Sequence, residues 1–264
     1  MVAARSPALV TLTTDFGTED SYVAEMKGVL LCEGPEDLRV VDLSHQLPAQ
    51  DLMAAYLFLE AAIPRFPPGT IHVAVIDPGV GSTRRALIVQ YREQIIVAPD
   101  NGITSGLVRD GAIAFEIDVS SLGLGALSAT FHGRDLFAPV AARLARGLQA
   151  TQIASLIDDP ISLPFPKPHR EGDVLVGEVI HVDHFGNLIT NIGRDALGFE
   201  SRASLRVRCG ALELPLVSHY EAVAIGHGCA LISSHGLLEI AVRNGNAATK
   251  LRLGRGNRVS VGCH

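Results

Sequence analysis

The chain has 264 residues, which suits one large domain or two smaller ones. Hydrophobic residues make up 47% and charged residues 19%, enough apolar material for a sizeable core, so wholesale disorder is excluded. No apolar run approaches the roughly 20 residues of a membrane helix, and a net charge of -6 gives no general electrostatic case for nucleic acid, so neither partner is expected.

In chain order, the N-terminal stretch has one Arg and a short apolar run that soon meets Thr and Asp, and it does not read as a signal peptide. Leu9–Thr14 is apolar and β-rich and runs into Asp15-Phe16-Gly17. Ser21–Cys32 carries Val23, Met26 and Leu30 at helical spacing. Leu38–Leu43 reads as a strand. Asp51–Ala62 reads as a helix capped by Asp51, with Leu52, Ala55, Leu59 and Ala62 on one face, broken by Phe66-Pro67-Pro68-Gly69. Ile71–Ile76 is a nearly continuous apolar run, as in a strand covered on both faces. Ala86–Tyr91, Gln94–Ala98 and Ile113–Val119 are further strands, and a helix with Leu136, Val140 and Leu144 starts near Arg134. This alternation predicts an α/β domain with a mostly parallel central sheet.

The pattern then changes. Pro160, Pro164, Pro166 and Pro168 fall among mixed charges, a linker composition. Beyond it, Val174–Val182, Ser204–Arg208, Leu212–Val217, Cys229–Ser233, Leu237–Val242 and Asn257–Val261 read as short strands of a smaller all-β, barrel-like domain. The expected division is 1–160 for the α/β domain, 161–173 for the Pro-rich linker and 174–264 for the β domain. Cys32, Cys209, Cys229 and Cys263 form no CxxC pair, so reduced thiols in a cytoplasmic protein are expected.

Five segments place polar residues at the ends of apolar runs: TTDFGTEDSY (13–22), VIDPGVGSTRR (75–85), APDNG (98–102), FHGRD (131–135) and DHFGNLITN (183–191). Ligands of open α/β sheets bind beyond the carboxyl ends of strands, and Asp15, Asp77 and Asp100 each follow an apolar strand. Singly, each has a plainer reading. Asp15 can cap or turn the chain, Asp77-Pro78-Gly79 is a common turn, and His132 can be a satisfied core histidine. The 79–84 loop offers backbone N–H groups but lacks the third glycine of a dinucleotide loop and the Gly-Lys-Ser/Thr of a P-loop. No HxxxH, HxH or DxDxD cluster supplies chelate spacing, so no metal site is expected, and no GxSxG elbow supports a serine hydrolase.

Taken together and in this order, the five segments resemble the S-adenosyl-L-methionine (SAM) hydroxide adenosyltransferases, the adenosine-forming SAM hydrolases related to the SAM-dependent fluorinase and chlorinase. The resemblance runs from about Val10 to Leu253. It implies an N-terminal α/β domain and a C-terminal β domain, and homotrimers with SAM held between subunits. It implies that water or hydroxide attacks ribose C5′, releasing adenosine and L-methionine, with SAM as substrate and no cofactor.

By the same resemblance the catalytic set is Asp77, Arg84 and His132. His132 would bind the water and act as base, while Asp77 and Arg84 orient both. Arg85, next to Arg84, would be structural or on the surface. Asp15 matches the ribose-hydroxyl position, Asp20 and Asp183 flank the methionine amine, Phe185 and Asn187 meet adenine, and Ser234 meets the methionine carboxylate. Asn101 lies in a family motif without an assigned role. Gln50 and His235 stand where the fluorinase has an aromatic residue and an Arg, and the register at Arg243 is blurred. Halide-using relatives carry an aromatic residue at the position of Asp77 and lack the His of His132. A halide-using adenosyltransferase, a non-catalytic SAM or adenosine sensor, and an unrelated hydrolase or metal-dependent enzyme remain as alternatives.

Overall fold

The computed structural model describes residues 8–198 and 205–263, so the first seven residues and Ser204, the expected start of a strand, lie outside the described residues. Its contacts divide the chain into two compact units, Met1–Leu163 and Pro164–His264.

The first unit is a seven-stranded sheet with helices on both faces. Its strands are β1 (Leu9–Thr14), β2 (Arg39–Ser44), β3 (Ile71–Val75), β4 (Ala86–Tyr91), β5 (Gln94–Pro99), β6 (Ile113–Ile117) and β7 (Ala154–Ile157), in the order β2-β1-β3-β5-β4-β6-β7. β1 runs parallel to β2 and β3, and β3 to β5. β4 is antiparallel to β5 and β6, and β6 to β7. Five of the seven strands therefore share one direction, with β4 and β7 reversed.

Strand alternation sorts the apolar residues into two cores. Val10, Leu12, Val73 and Val75 face Met26 and Leu30 of helix α1 (Tyr22–Glu33) and Val140 and Leu144 of helix α4 (Ala138–Ala145). Ala74, Ile76, Leu87 and Ile96 face Ala55 and Leu59 of helix α2 (Leu52–Ala62) and Leu107 of helix α3 (Ser105–Arg109). Coverage on both faces explains why β3 reads as an uninterrupted apolar run. Asp51 caps α2 as expected, its carboxylate accepting from the Ala54 N–H at 3.0 Å.

The strand order carries one long-reaching consequence. β5 lies between β3 and β4, although β4 precedes it in sequence. The connection 76–85 leaves the carboxyl end of β3 and must pass the end of β5 to begin β4.

The second unit is an eight-stranded antiparallel sheet. Its strands are β8 (His169–Glu171), β9 (Val174–Val182), β10 (Leu188–Gly193), β11 (Leu205–Cys209), β12 (Leu212–Pro215), β13 (Gly228–Ile232), β14 (Leu237–Val242) and β15 (Arg258–Cys263), with one short helix, α5 (Ala247–Leu251). The order is β12-β11-β15-β9-β10-β14-β13, with β8 beside β9. A bridge from Leu216, just past β12, to Ala230 of β13 brings the two ends together, so the sheet is nearly a closed barrel around Leu188, Val207, Ile240 and Val259. β8 lies within the stretch 161–173 that composition marks as linker. β7, β10, α3 and α5 are elements that the sequence pattern does not announce.

Candidate active site

Three strands of the first unit end on carboxylates. Asp15 follows β1, Asp77 follows β3 after Ile76, and Asp100 follows β5, and these strands are neighbours in the sheet. The carboxyl edge thus brings the three acids to one side, as topology requires, but their partners set them apart.

Asp77 is held by Arg84. The guanidinium Nε donates to both carboxylate oxygens at 2.9 Å, and Nη2 donates to Oδ2 as well. Arg84 belongs to the far end of the 76–85 connection, and the return of that loop toward its start brings the pair together seven residues apart. The side chains are 4% and 9% exposed. A pair so thoroughly removed from water costs desolvation and is a weak source of stability, so its value lies in the geometry it fixes.

The same Arg84 Nη2 donates to His132 Nδ1 at 2.9 Å. Guanidinium only donates, so Nδ1 accepts and the neutral imidazole carries its proton on Nε2. Burial and the charge of Arg84 hold the His132 pKa below the ordinary value, while Asp77 and Asp135 pull weakly the other way. In this arrangement the ring presents a donor, Nε2–H, rather than a lone pair.

His132 sits immediately before a π-helical turn, Gly133–Phe137, closed by Ala138 N–H on the Gly133 carbonyl and continuing into α4. Such turns recur at functional sites because the wider loop re-aims side chains. At the other end of the turn, buried Phe137 lies under the Arg84 guanidinium at 5.2 Å. The turn is fastened by Arg134, which donates to Glu25 of α1 at 2.7 Å and to Asp135 at 2.6 Å, while Asp135 also accepts from the Ser128 N–H at 2.8 Å. Gly133 is tightly surrounded: a Cβ would lie 3.0 Å from Met26 Sδ and the Phe131 ring and 3.3 Å from Phe16, so those side chains would have to give by a few tenths of an ångström.

Asp100 is not open to a ligand. It is buried and accepts from Arg85 Nε at 2.8 Å and the Ile161 N–H at 2.8 Å. Arg85 extends further to the Asp159 carboxylate and carbonyl, each at 2.7 Å, which gives it the structural role expected of it. Asp15 accepts from the Gln50 N–H at 2.7 Å, and Gln50 has φ +63°. Asp20 lies exposed on the bend before α1.

The remaining expected residues belong to the second unit. Asp183 and Asn187 close a tight loop between β9 and β10: the Asn187 N–H donates to Asp183 Oδ1 at 2.8 Å and its side-chain amide donates to Oδ2 at 3.0 Å. Phe185, at the tip of this loop, is 73% exposed, the most open of the large hydrophobic residues among those described. Ser234 is exposed on the β13–β14 turn. Among the described residues, no group of three or more His, Cys, Asp or Glu is placed to hold a metal ion, and no helix is long and apolar enough to cross a membrane. Cys32, Cys209 and Cys229 are free thiols.

Sequence reasoning missed Phe137 under Arg84 and the Glu25–Arg134–Asp135 fastening of the turn. The charges of the fastening were visible, but Glu25 lies 109 residues from Arg134.

Comparison with known proteins accounts for most of the chain. Residues 10–154 match the family model for the SAM hydroxide adenosyltransferase N-terminal domain, and residues 177–260 match that for its C-terminal domain. The chain is 38% identical to an (R)-S-adenosyl-L-methionine hydrolase of Thermus thermophilus, over 96% of this chain and 98% of the relative. It is 37% identical to a hydrolase of the same name from Salinispora tropica, over 96% and 97%. Among solved structures, an uncharacterized conserved protein from Thermotoga maritima superposes with a TM-score of 0.87 at 32% identity, covering 96% of this chain and 99% of that one.

Proposed function

The chain belongs to the SAM hydroxide adenosyltransferase family, and from that premise we propose that it hydrolyses SAM to adenosine and L-methionine. The observation that carries the reading is a single guanidinium, Arg84, joined to both Asp77 and His132.

In the proposed step a water oxygen attacks ribose C5′ as the C5′–S bond breaks. The bonding pair leaves with sulfur, which becomes the neutral thioether of methionine. The new oxygen is an oxonium until it loses a proton. Once the C–O bond forms that proton is strongly acidic, so no strong base is needed. His132 Nε2–H donates to the incoming oxygen and places it in line with C5′. Burial and Arg84 keep the ring neutral, and the oxonium proton passes to the Asp77 carboxylate, whose oxygens retain accepting capacity beyond the Arg84 bonds. For His132 to act as the base at Nε2, it would first have to give up that proton or leave Arg84.

The binding roles of Asp15, Asp20, Asp183, Phe185, Asn187 and Ser234 belong to the same proposal, and so do a homotrimer with sites between subunits, a cytoplasmic location and turnover without a cofactor. The exposed Phe185 ring supports a stacking role. Asp77 and His132 favour water over halide, because halide-using relatives lack both.

Purified protein incubated with SAM in chloride-free, 18O-labelled water tests this. Equal amounts of adenosine and methionine are expected, with label in the 5′-hydroxyl, and His132→Ala should lower the rate about 10²-fold or more. Bound, unconsumed SAM would instead identify a sensor, and neither consumption nor binding would reject the reading.

A further inference from the structure

Asn101 has no role in the reaction just described, yet it touches the backbone that delivers Asp77. Its side-chain Nδ2 donates to the carbonyl of Ile76 at 2.8 Å. Ile76 is fully buried and immediately precedes Asp77. The amide oxygen of Asn101 faces its own chain, accepting from the Ile103 N–H at 3.4 Å.

The sheet order explains why a tie is needed there. β5 separates β3 from β4, so Arg84 has to reach past the end of β5 to hold Asp77. Asn101 stands at that end of β5. One residue earlier, Asp100 binds Arg85, the neighbour of Arg84. The Asp100 N–H also donates to the Arg85 carbonyl at 3.0 Å, continuing the β4–β5 ladder by one rung beyond Ala86↔Pro99. Two consecutive residues of β5's end therefore grip both flanks of the ion pair: Asp100 grips the Arg84 side, and Asn101 grips the Asp77 side.

We propose that Asn101 is a positioning residue for the reaction, fixing Asp77 relative to Arg84 and His132 through the Ile76 carbonyl. The proposal rests on the reading of those three side chains as the reacting set. The geometry it protects is tight, since Arg84 must satisfy Asp77 and His132 simultaneously, and small displacements in a reacting set are expensive in rate. Without the amide, the Ile76 carbonyl is buried and loses its side-chain donor, so the segment shifts to recover one. Asp77 moves with it.

The test follows the His132 ring-proton signals by NMR across pH in the full-length protein, assigned against His132→Ala, for wild type and Asn101→Ala. Where that variant does not fold, Asn101→Ser takes its place, keeping a polar but shorter side chain. Asp77 is a carboxylate that offsets Arg84 at the ring, so the midpoint is expected to move down when Asp77 withdraws. The same variant should lose about tenfold or more in kcat while KM for SAM changes less than about threefold. An unmoved midpoint in a folded variant overturns the proposal even if the thermal midpoint drops, because an amide with a purely structural role would cost stability and leave the ring unaffected. The titration needs no substrate. A moved midpoint in a protein whose wild type does not turn over SAM would therefore reject the hydrolase reading while leaving the positioning of Asp77 supported.

Discussion

Arg84 serves two partners with opposite requirements. Its charge compensates Asp77, and burial together with the same charge keeps His132 from acquiring one. Lysine cannot do both, because a single ammonium lacks the fork that meets two carboxylate oxygens and a ring nitrogen together. Arg84→Lys should therefore lower kcat/KM by about 10²-fold or more, read by steady-state assay at saturating and limiting SAM. Protonation of the ring turns Nδ1 into a donor facing a donor, so wild-type kcat/KM should fall toward acid with a midpoint below the ordinary histidine value of about 6.5. Asp77 was legible as a carboxylate at the end of a strand, but only the family resemblance joined it to Arg84, since Asp77-Pro78-Gly79 also reads as a turn. The tautomer of His132 was not legible, since it follows from a contact between residues 48 apart. Asp100 resembled Asp77 in sequence and differs in structure because Arg85 and the Ile161 N–H already occupy it.

The π-helical turn is the element on which the site depends most directly, and Gly133 is its tightest point. A methyl group there must displace Met26, Phe131 or Phe16, all of which border the segment carrying His132. Gly133→Ala should cost about 1–3 kcal/mol in urea denaturation and lower kcat as well. Asp51→Ala is the contrasting case. It removes the cap of α2 and should cost about 1 kcal/mol with kcat unchanged. Elements with a clear helical period or a sustained apolar run were legible, α2 by the first signal and β3 and the β4–β5 pair by the second. β10 was hidden because LITNIG sits inside a segment rich in polar signals, although Leu188, Thr190 and Ile192 alternate toward the barrel interior. β7 was hidden because it is a four-residue edge strand with its side chains only partly covered. A helix near Arg134 was legible, but its π-helical first turn has no signature in composition.

At the scale of the whole molecule, acid sensitivity has a source far from the chemistry. His72 lies in β3, 1% exposed, with Nδ1 against Thr11 Oγ1 at 2.7 Å, and burial pushes its pKa down to about 4. The unfolded chain takes up this proton near pH 6.5, whereas the folded chain resists until about 4. Stability is thus fully retained above that window, falls as pH drops through it by about 3 kcal/mol, and changes no further below it on this account. Urea midpoints at pH 7 and 4.5 should differ less in His72→Leu than in wild type. The passage of residues 76–85 across the end of β5 has a kinetic side too. β4 and β5 are joined by only two residues, and such a hairpin can form within microseconds. The strand that β4 meets next along the chain is β3, and an early β3–β4 pairing would close the gap that β5 has to enter. The Asp77–Arg84 pair lies within one loop, but the Asp100 and Asn101 ties on its flanks come from the end of β5 and exist only with β5 between β3 and β4. A chain with β3 paired directly to β4 would lack both ties, and the loop that carries Asp77 and Arg84 would lose its native setting.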